Sequence, residues 1–360
     1  SLNDAQLAPL PIADRVIERI HGSIVNEFTF GGINVSKELQ KHVIELVPST
    51  PHTSLAEMER MLFDGLTRFH RATGGRYVMM GLGMHPFLTL DRTAWWDHED
   101  IEIYDVYDRL FDLRQHGWLN IQALQVNVHY ENEAHMVAMF DRLRSLIPFL
   151  VAVTASSPMV EGRLTGVMDN RLLYYRDNQK RVPLICNNIV PERLESRKQH
   201  DDIIESIYGE LRKIGGDELC HEWIDSRGVV LRYHRECLEL KACDEQECLR
   251  SDMAVTAFVL SLLRADIELE SDHDMLLDMN EAAIRNGTAS CRPELLRLYD
   301  SAFNAATAEE RSYLPLVRRR IEEGSLAEVI VRDIEDGANP HAVFKGLASC
   351  LKENRPRWPA

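Results

Sequence analysis

Three acidic residues stand on segments that alternate as β-strands do. Glu45 lies between Val43 and Val47, Glu27 between Val25 and Thr29, and Glu239 two residues before Lys241. Side chains two apart on a strand project to the same face. A carboxylate set among β-branched apolar neighbours is costly to bury without a cation. A fourth segment, residues 123–130, alternates strictly and puts Gln125, Asn127 and His129 on one side and Val126, Val128 and Tyr130 on the other. If these strands share a curved sheet, their polar faces line a funnel. Carboxylates gathered there repel one another unless a divalent cation neutralises them. Mg²⁺ held by carboxylates and waters is a common device for gripping nucleotide phosphates.

The elements that must position these groups follow from the pattern. Residues 23–30 read as a strand turned by Gly31-Gly32, and residues 43–47 as the next strand, ended by Pro48 to Pro51. Ser54 and Glu57 form a capping-box signature for a helix with Met58, Met61, Leu62, Leu66 and Phe69 at helical spacing. Residues 77–83 read as a short apolar strand, residues 133–146 as an amphipathic helix, and residues 150–155 as a further apolar segment. Residues 229–243 predict a hairpin, and residues 251–264 a buried helix. The chain is helical from about residue 293. The expected product is a single domain over residues 1–360 of the α+β class, with a mainly antiparallel sheet, helices on one face and a helical C-terminal part.

Composition bounds the alternatives. The chain has 360 residues, 45% of them hydrophobic and 27% charged, which are globular proportions. Its 41 basic and 57 acidic side chains give a net charge of −16. That argues against a nucleic-acid binder, and the one basic run, Arg318 to Arg320, is followed at once by Glu322-Glu323. No stretch approaches the length of a membrane span, and Ser1 to Asp4 lack the pattern of a secretory leader. Seven cysteines without a CxxC pair suit reduced thiols in a cytoplasmic protein. A Walker loop and a GxSxG elbow are both missing. Gly81 and Gly83 precede His-Pro rather than a helix, so they read as structural.

Five segments in order resemble the type-2 glutamate–cysteine ligases, which include plant-type enzymes and bacterial carboxylate–amine ligases. They are residues 43–48, residues 83–87 (GMHPF), residues 123–171 with Ala155-Ser156-Ser157-Pro158, Gly162 and Arg171, residues 238–244 (LELKACD), and residues 280–287. The resemblance implies a glutamine-synthetase- and guanido-kinase-like fold whose curved antiparallel sheet holds ATP and two or more Mg²⁺ ions. It implies ATP-dependent amide formation between a glutamate-like carboxylate and an amine such as cysteine, through an acyl phosphate. By resemblance, Glu27, Glu45 and Glu239 are metal ligands, with Glu38 as a further member. Gln125 and Asn127 are a metal- or phosphate-side pair, with His129 on their face. Lys241 is a phosphate contact, Arg171 engages substrate or the transferring phosphate, and Arg232 and Arg235 are further cations for that role. Expected partners are the small-molecule carboxylate and amine, with no nucleic acid and no membrane, and homo-oligomerisation stays open.

Two departures stand out. Val25 occupies a position where many relatives carry an acid, and Lys241 replaces the usual Arg and with it bidentate geometry. They keep open a descendant that binds nucleotide or amino acid and regulates a partner; a third reading, since related folds do so, is a kinase-like enzyme that stops at phosphoryl transfer.

Overall fold

The computed structural model describes residues 1–358. The fold is α+β, and the described strands divide among four antiparallel sheets instead of a single one. In chain order they are β1 (Leu2–Asn3), β2 (Glu27–Phe30), β3 (Ile33–Lys37), β4 (Ile44–Pro48), β5 (Val78–Met79), β6 (Ala123–His129), β7 (Met159–Val160), β8 (Arg163–Leu164), β9 (Val229–Arg232) and β10 (Cys237–Asp244). Two three-stranded sheets, β2-β3-β4 and β6-β10-β9, carry the polar faces, while β1-β5 and β7-β8 form small pairs.

Register turns the strand alternation into rows. Across β2-β3-β4, Glu27 pairs with Ser36 and Ser36 with Glu45, so these three share a face. The opposite face carries Phe28, Val35 and Leu46, with Phe28 and Val35 buried. Helix Leu55–Ala72 packs on this sheet, and it comes close because Gly65 has no side chain: a Cβ there would sit 2.5 Å from Ile33 Cδ1. Ser54 caps this helix by accepting from the Glu57 amide. The other half of the expected box is replaced by Glu309, which accepts from Ser54 Oγ and the Ala56 amide.

Across β6-β10-β9, one face holds Val126, Val128, Leu238, Leu240, Val229 and Leu231, against helix Glu133–Thr154. The other holds two rows, His129–Cys237–Arg232 and Asn127–Glu239–Val230. Helix Glu133–Thr154 runs through Pro148 and absorbs residues 150–154, because its second half is buried on every side and gives no amphipathic period. Of residues 23–30 and 77–83, only Glu27–Phe30 and Val78–Met79 are strand.

Helix Leu249–Arg264 matches the expected buried helix, and helix His273–Asn286 precedes the helical part expected from residue 293. The main core is continuous from Leu2 to Trp358 and includes Leu295, Val317, Ile330 and Phe344. A second, smaller core gathers Tyr107, Leu110, Phe111, Ile207 and Leu211 between helices Ile101–Phe111 and Arg197–Lys213.

Candidate active site

The carboxylates predicted from the sequence lie within electrostatic reach of Glu45, on strands of both three-stranded sheets and just past β3. Glu45 is half-buried on β4, and its carboxyl is pushed up to about 8, first by burial and then by the charges of Glu38, Glu239 and Glu27, against the pull of Arg235. Glu45 therefore feels three other carboxylates, one of them, Glu239, on the other three-stranded sheet. Glu38, just past β3, is also pushed up, by burial, with Lys37 and Lys241 opposing. Glu27 is more exposed and accepts from Ser36 Oγ at 2.8 Å and Asn34 Nδ2 at 3.3 Å.

Glu239 behaves differently. It is buried on β10 and gripped by Arg232, with Nε 2.7 Å from Oε2 and Nη2 3.3 Å from Oε1. Lys241 Nζ stands 3.8 Å from its Oε1. Burial alone would raise the Glu239 carboxyl, but Lys241 and Arg232 hold it below the usual range. Arg235 sits exposed at the tip of the β9–β10 hairpin, near enough to favour charge on both Glu45 and Glu239. Gln125, Asn127 and His129 are exposed along β6, as their alternation predicts. His129 Nδ1 donates to the Glu236 carbonyl at 2.9 Å, and Cys237 Sγ lies 3.3 Å from Asn127 Oδ1.

Oxygen donors of this kind suit Mg²⁺, which takes one or two carboxylates plus waters and phosphate oxygens more often than a closed protein cage. No three of these glutamates bring ligand atoms within 4.8 Å of one another; among the described residues only Asp14, Asp97 and His98 do. That trio is already served by Lys41, whose Nζ lies 2.6 Å from Asp14 and 2.8 Å from Asp97. The glutamates fit as neighbouring one- or two-carboxylate positions, with Glu27, Glu38 and Glu45 open to a cation and Glu239 engaged by Arg232.

Arg171 stands apart from this face. It is buried, and its guanidinium bonds Asp244 Oδ1 at 2.6 Å, the Ala242 carbonyl at 2.7 Å and the Lys241 carbonyl at 3.3 Å. Its charged neighbours are Asp244 and Asp169 rather than the glutamates. Its guanidinium is thus engaged by Asp244 and by the backbone of β10. The other signature residues join it. Ser156 and Ser157 both bond Asp244 Oδ2, and Gly83 leaves room for it, since a Cβ there would lie 2.2 Å from Asp244 Cγ.

Strand β3 escaped sequence reasoning, although the alternation of Ile33-Asn34-Val35-Ser36 signals it, and with it went Ser36 between Glu27 and Glu45. Cys237 was also passed over, though it keeps step with Glu239 and Lys241.

The sheets and their row of acids and amides define a chain whose relatives are then found by comparison. Residues 3–345 match the model of glutamate–cysteine ligase family 2. The chain belongs to that family. It is 44% identical over 356 residues to a protein of Archaeoglobus fulgidus named "Uncharacterized protein", covering 98% of this chain and 97% of that one. It is 24% identical over 244 residues to the "Putative glutamate--cysteine ligase 2" of Bdellovibrio bacteriovorus, covering 67% of this chain and 59% of that protein. It is 31% identical over 151 residues to the "Putative glutamate--cysteine ligase 2-2" of Nocardia farcinica, covering 41% and 37%. The relatives that carry the ligase name are thus matched over less than two thirds of their own length.

Proposed function

We propose that the protein is an ATP- and Mg²⁺-dependent carboxylate–amine ligase that joins a glutamate-like acid to an amine. The observation that carries this reading is that Glu27, Glu38 and Glu239 all act electrostatically on Glu45, while Glu239 is itself paired with Arg232 and Lys241 and near Arg235. A surplus of carboxylates beside a cluster of cations suits a ligand that arrives as an anion with its own divalent ions. In this reading a carboxylate oxygen of the acid attacks the γ-phosphorus of ATP and ADP departs. The amine nitrogen then attacks the acyl carbon, phosphate leaves with the C–O bond, and the amine gives up a proton. Phosphoryl transfer of this kind asks the protein for positioning and charge stabilisation more than for a nucleophile.

On this reading the residues take the following roles. Glu27, Glu38 and Glu45 would hold Mg²⁺, which would supply positive charge against the phosphate oxygens. Lys241 and Arg235 contact the phosphates as they gain charge, Arg232 keeps Glu239 ionised and oriented, and Gln125, Asn127 and His129 offer a polar row to the nucleotide. The test is ADP release with paired acids and amines. Glu45→Gln and Glu239→Gln are expected to lower turnover at least about a hundredfold, the scale of one lost charge contact in a transition state, while circular dichroism shows an intact fold. Full activity in either variant contradicts this assignment. ATP binding without turnover across a broad panel would make the protein a nucleotide-binding regulator instead.

A further inference from the structure

Strand β10 is irregular where it matters. Its pairing with β6 runs in step from Cys237 to Leu240 and resumes at Cys243, so Lys241 and Ala242 stand together opposite Gln125. A bulge of this kind disrupts the ladder locally and re-aims a side chain. Here the Lys241 amide turns to the Gly228 carbonyl at 2.8 Å, while the carbonyls of both bulge residues accept from Arg171. A buried carbonyl without a partner is costly, so a guanidinium bonding both holds the bulge in one shape.

Arg171 is itself fixed from several sides. It lies on the short helix Asn170–Tyr175, capped by Asp169, whose side chain accepts from the Leu172 amide at 2.8 Å. The Ser157 hydroxyl accepts from the Arg171 amide at 3.2 Å and donates to Asp244 at 2.8 Å. The Asn170 amide and side chain both reach the Ser157 carbonyl. The segment of residues 155–158, Arg171 and Asp244 therefore form one buried joint.

We propose that Arg171 is a positioning residue: it locks the β10 bulge so that the Lys241 ammonium is held beside Glu239, ready for an anionic ligand. The inference rests on the reading that Lys241 contacts phosphate. It gives the residues of the signature a task different from touching substrate. A fork of parallel N–H donors is what the task needs, because a lysine in its place keeps the ion pair with Asp244 but cannot also bridge two carbonyls.

The experiment is a double-mutant cycle on Mg·ATP binding by calorimetry, with thermal melting in parallel. Lys241→Met is expected to weaken binding about tenfold, and Arg171→Lys to weaken it by a similar factor. If Arg171 acts through Lys241, the double variant binds no more weakly than Lys241→Met alone, although its melting temperature falls with that of Arg171→Lys. A merely structural role would instead add its loss to that of Lys241→Met, and that additivity overturns the inference while leaving the ligase reading intact. Unchanged binding in Arg171→Lys also overturns it. Unchanged binding in Lys241→Met overturns the phosphate role of Lys241 and the inference together, and a wild-type chain that binds no Mg·ATP overturns the ligase reading as a whole.

Discussion

Glu45 carries the tension of the site. An acid raised above its ordinary value keeps its proton in the folded chain while the unfolded chain has released it. Folding is therefore opposed increasingly as pH rises from the unfolded value of about 4.5 towards 8. Replacing it by Gln removes that opposition, so Glu45→Gln is expected to melt about 1–3 °C higher than wild type at pH 8 while losing turnover. A lower melting temperature contradicts this account. The same proton must leave when a cation takes the carboxylate. Mg·ATP binding at pH 7 should then release about one proton, read as a dependence of the binding heat on the ionisation enthalpy of the buffer. His85 gives the opposite slope. It is buried, bonds Asn3 Oδ1 at 2.7 Å, and burial pushes its imidazole down to about 3. The unfolded chain takes up the proton below about pH 6.5, so stability falls as pH drops from there, by up to about 1.4 kcal/mol per unit. Urea unfolding of wild type and His85→Gln at pH 7 and pH 5 checks this, since the variant should lose that part of the slope. The acids of this site were legible because strand alternation singles them out. The contacts of Arg171 were not, because a motif gives residue types but not which carbonyls a guanidinium reaches.

The elements explain which motifs hold the fold. Gly83, Ser156, Ser157, Arg171 and Asp244 come from segments far apart in the chain, and they converge on one buried carboxylate. Gly83 donates its amide to Ser156 Oγ at 2.8 Å and has Asp244 where a side chain would be. Gly83→Ala should therefore cost about 3 kcal/mol, the upper range for overpacking a dense core, measured by chemical unfolding; a change below about 1 kcal/mol would contradict the packing described. The hairpin of β9 and β10 and the helix capped by Ser54 follow from local signals. The continuation of helix Glu133–Thr154 through Pro148 does not, since that half is buried all round, where periodicity carries no information.

At the scale of the whole molecule, one core joins the first strand to the last helix, and helices Arg292–Ala305 and Leu314–Glu323 pack on helix Leu249–Arg264. A chain ending at residue 291 would expose Leu262 and its neighbours, and it is expected to show no cooperative thermal transition by circular dichroism; a sharp transition would mean that the N-terminal part folds alone. No helix among the described residues is long and apolar enough to cross a membrane. The net charge of −16 opposes ATP at long range, but that field is screened within about 10 Å in ordinary salt. On the proposed reading, the groups that would meet the phosphates are local, namely Lys241, Arg235 and cations held by the glutamates. The α+β class was legible from strand and helix patterns, whereas the division of the strands into separate sheets depends on pairings that no single segment encodes. The central claim is the coupling of ATP cleavage to amide formation, and mass spectrometry of reactions with ATP, Mg²⁺, glutamate-like acids and a panel of amines tests it most directly. The account predicts a product with the mass of acid plus amine minus water, formed in step with ADP and phosphate; ADP formed without any such product, or no turnover across the panel, would contradict it.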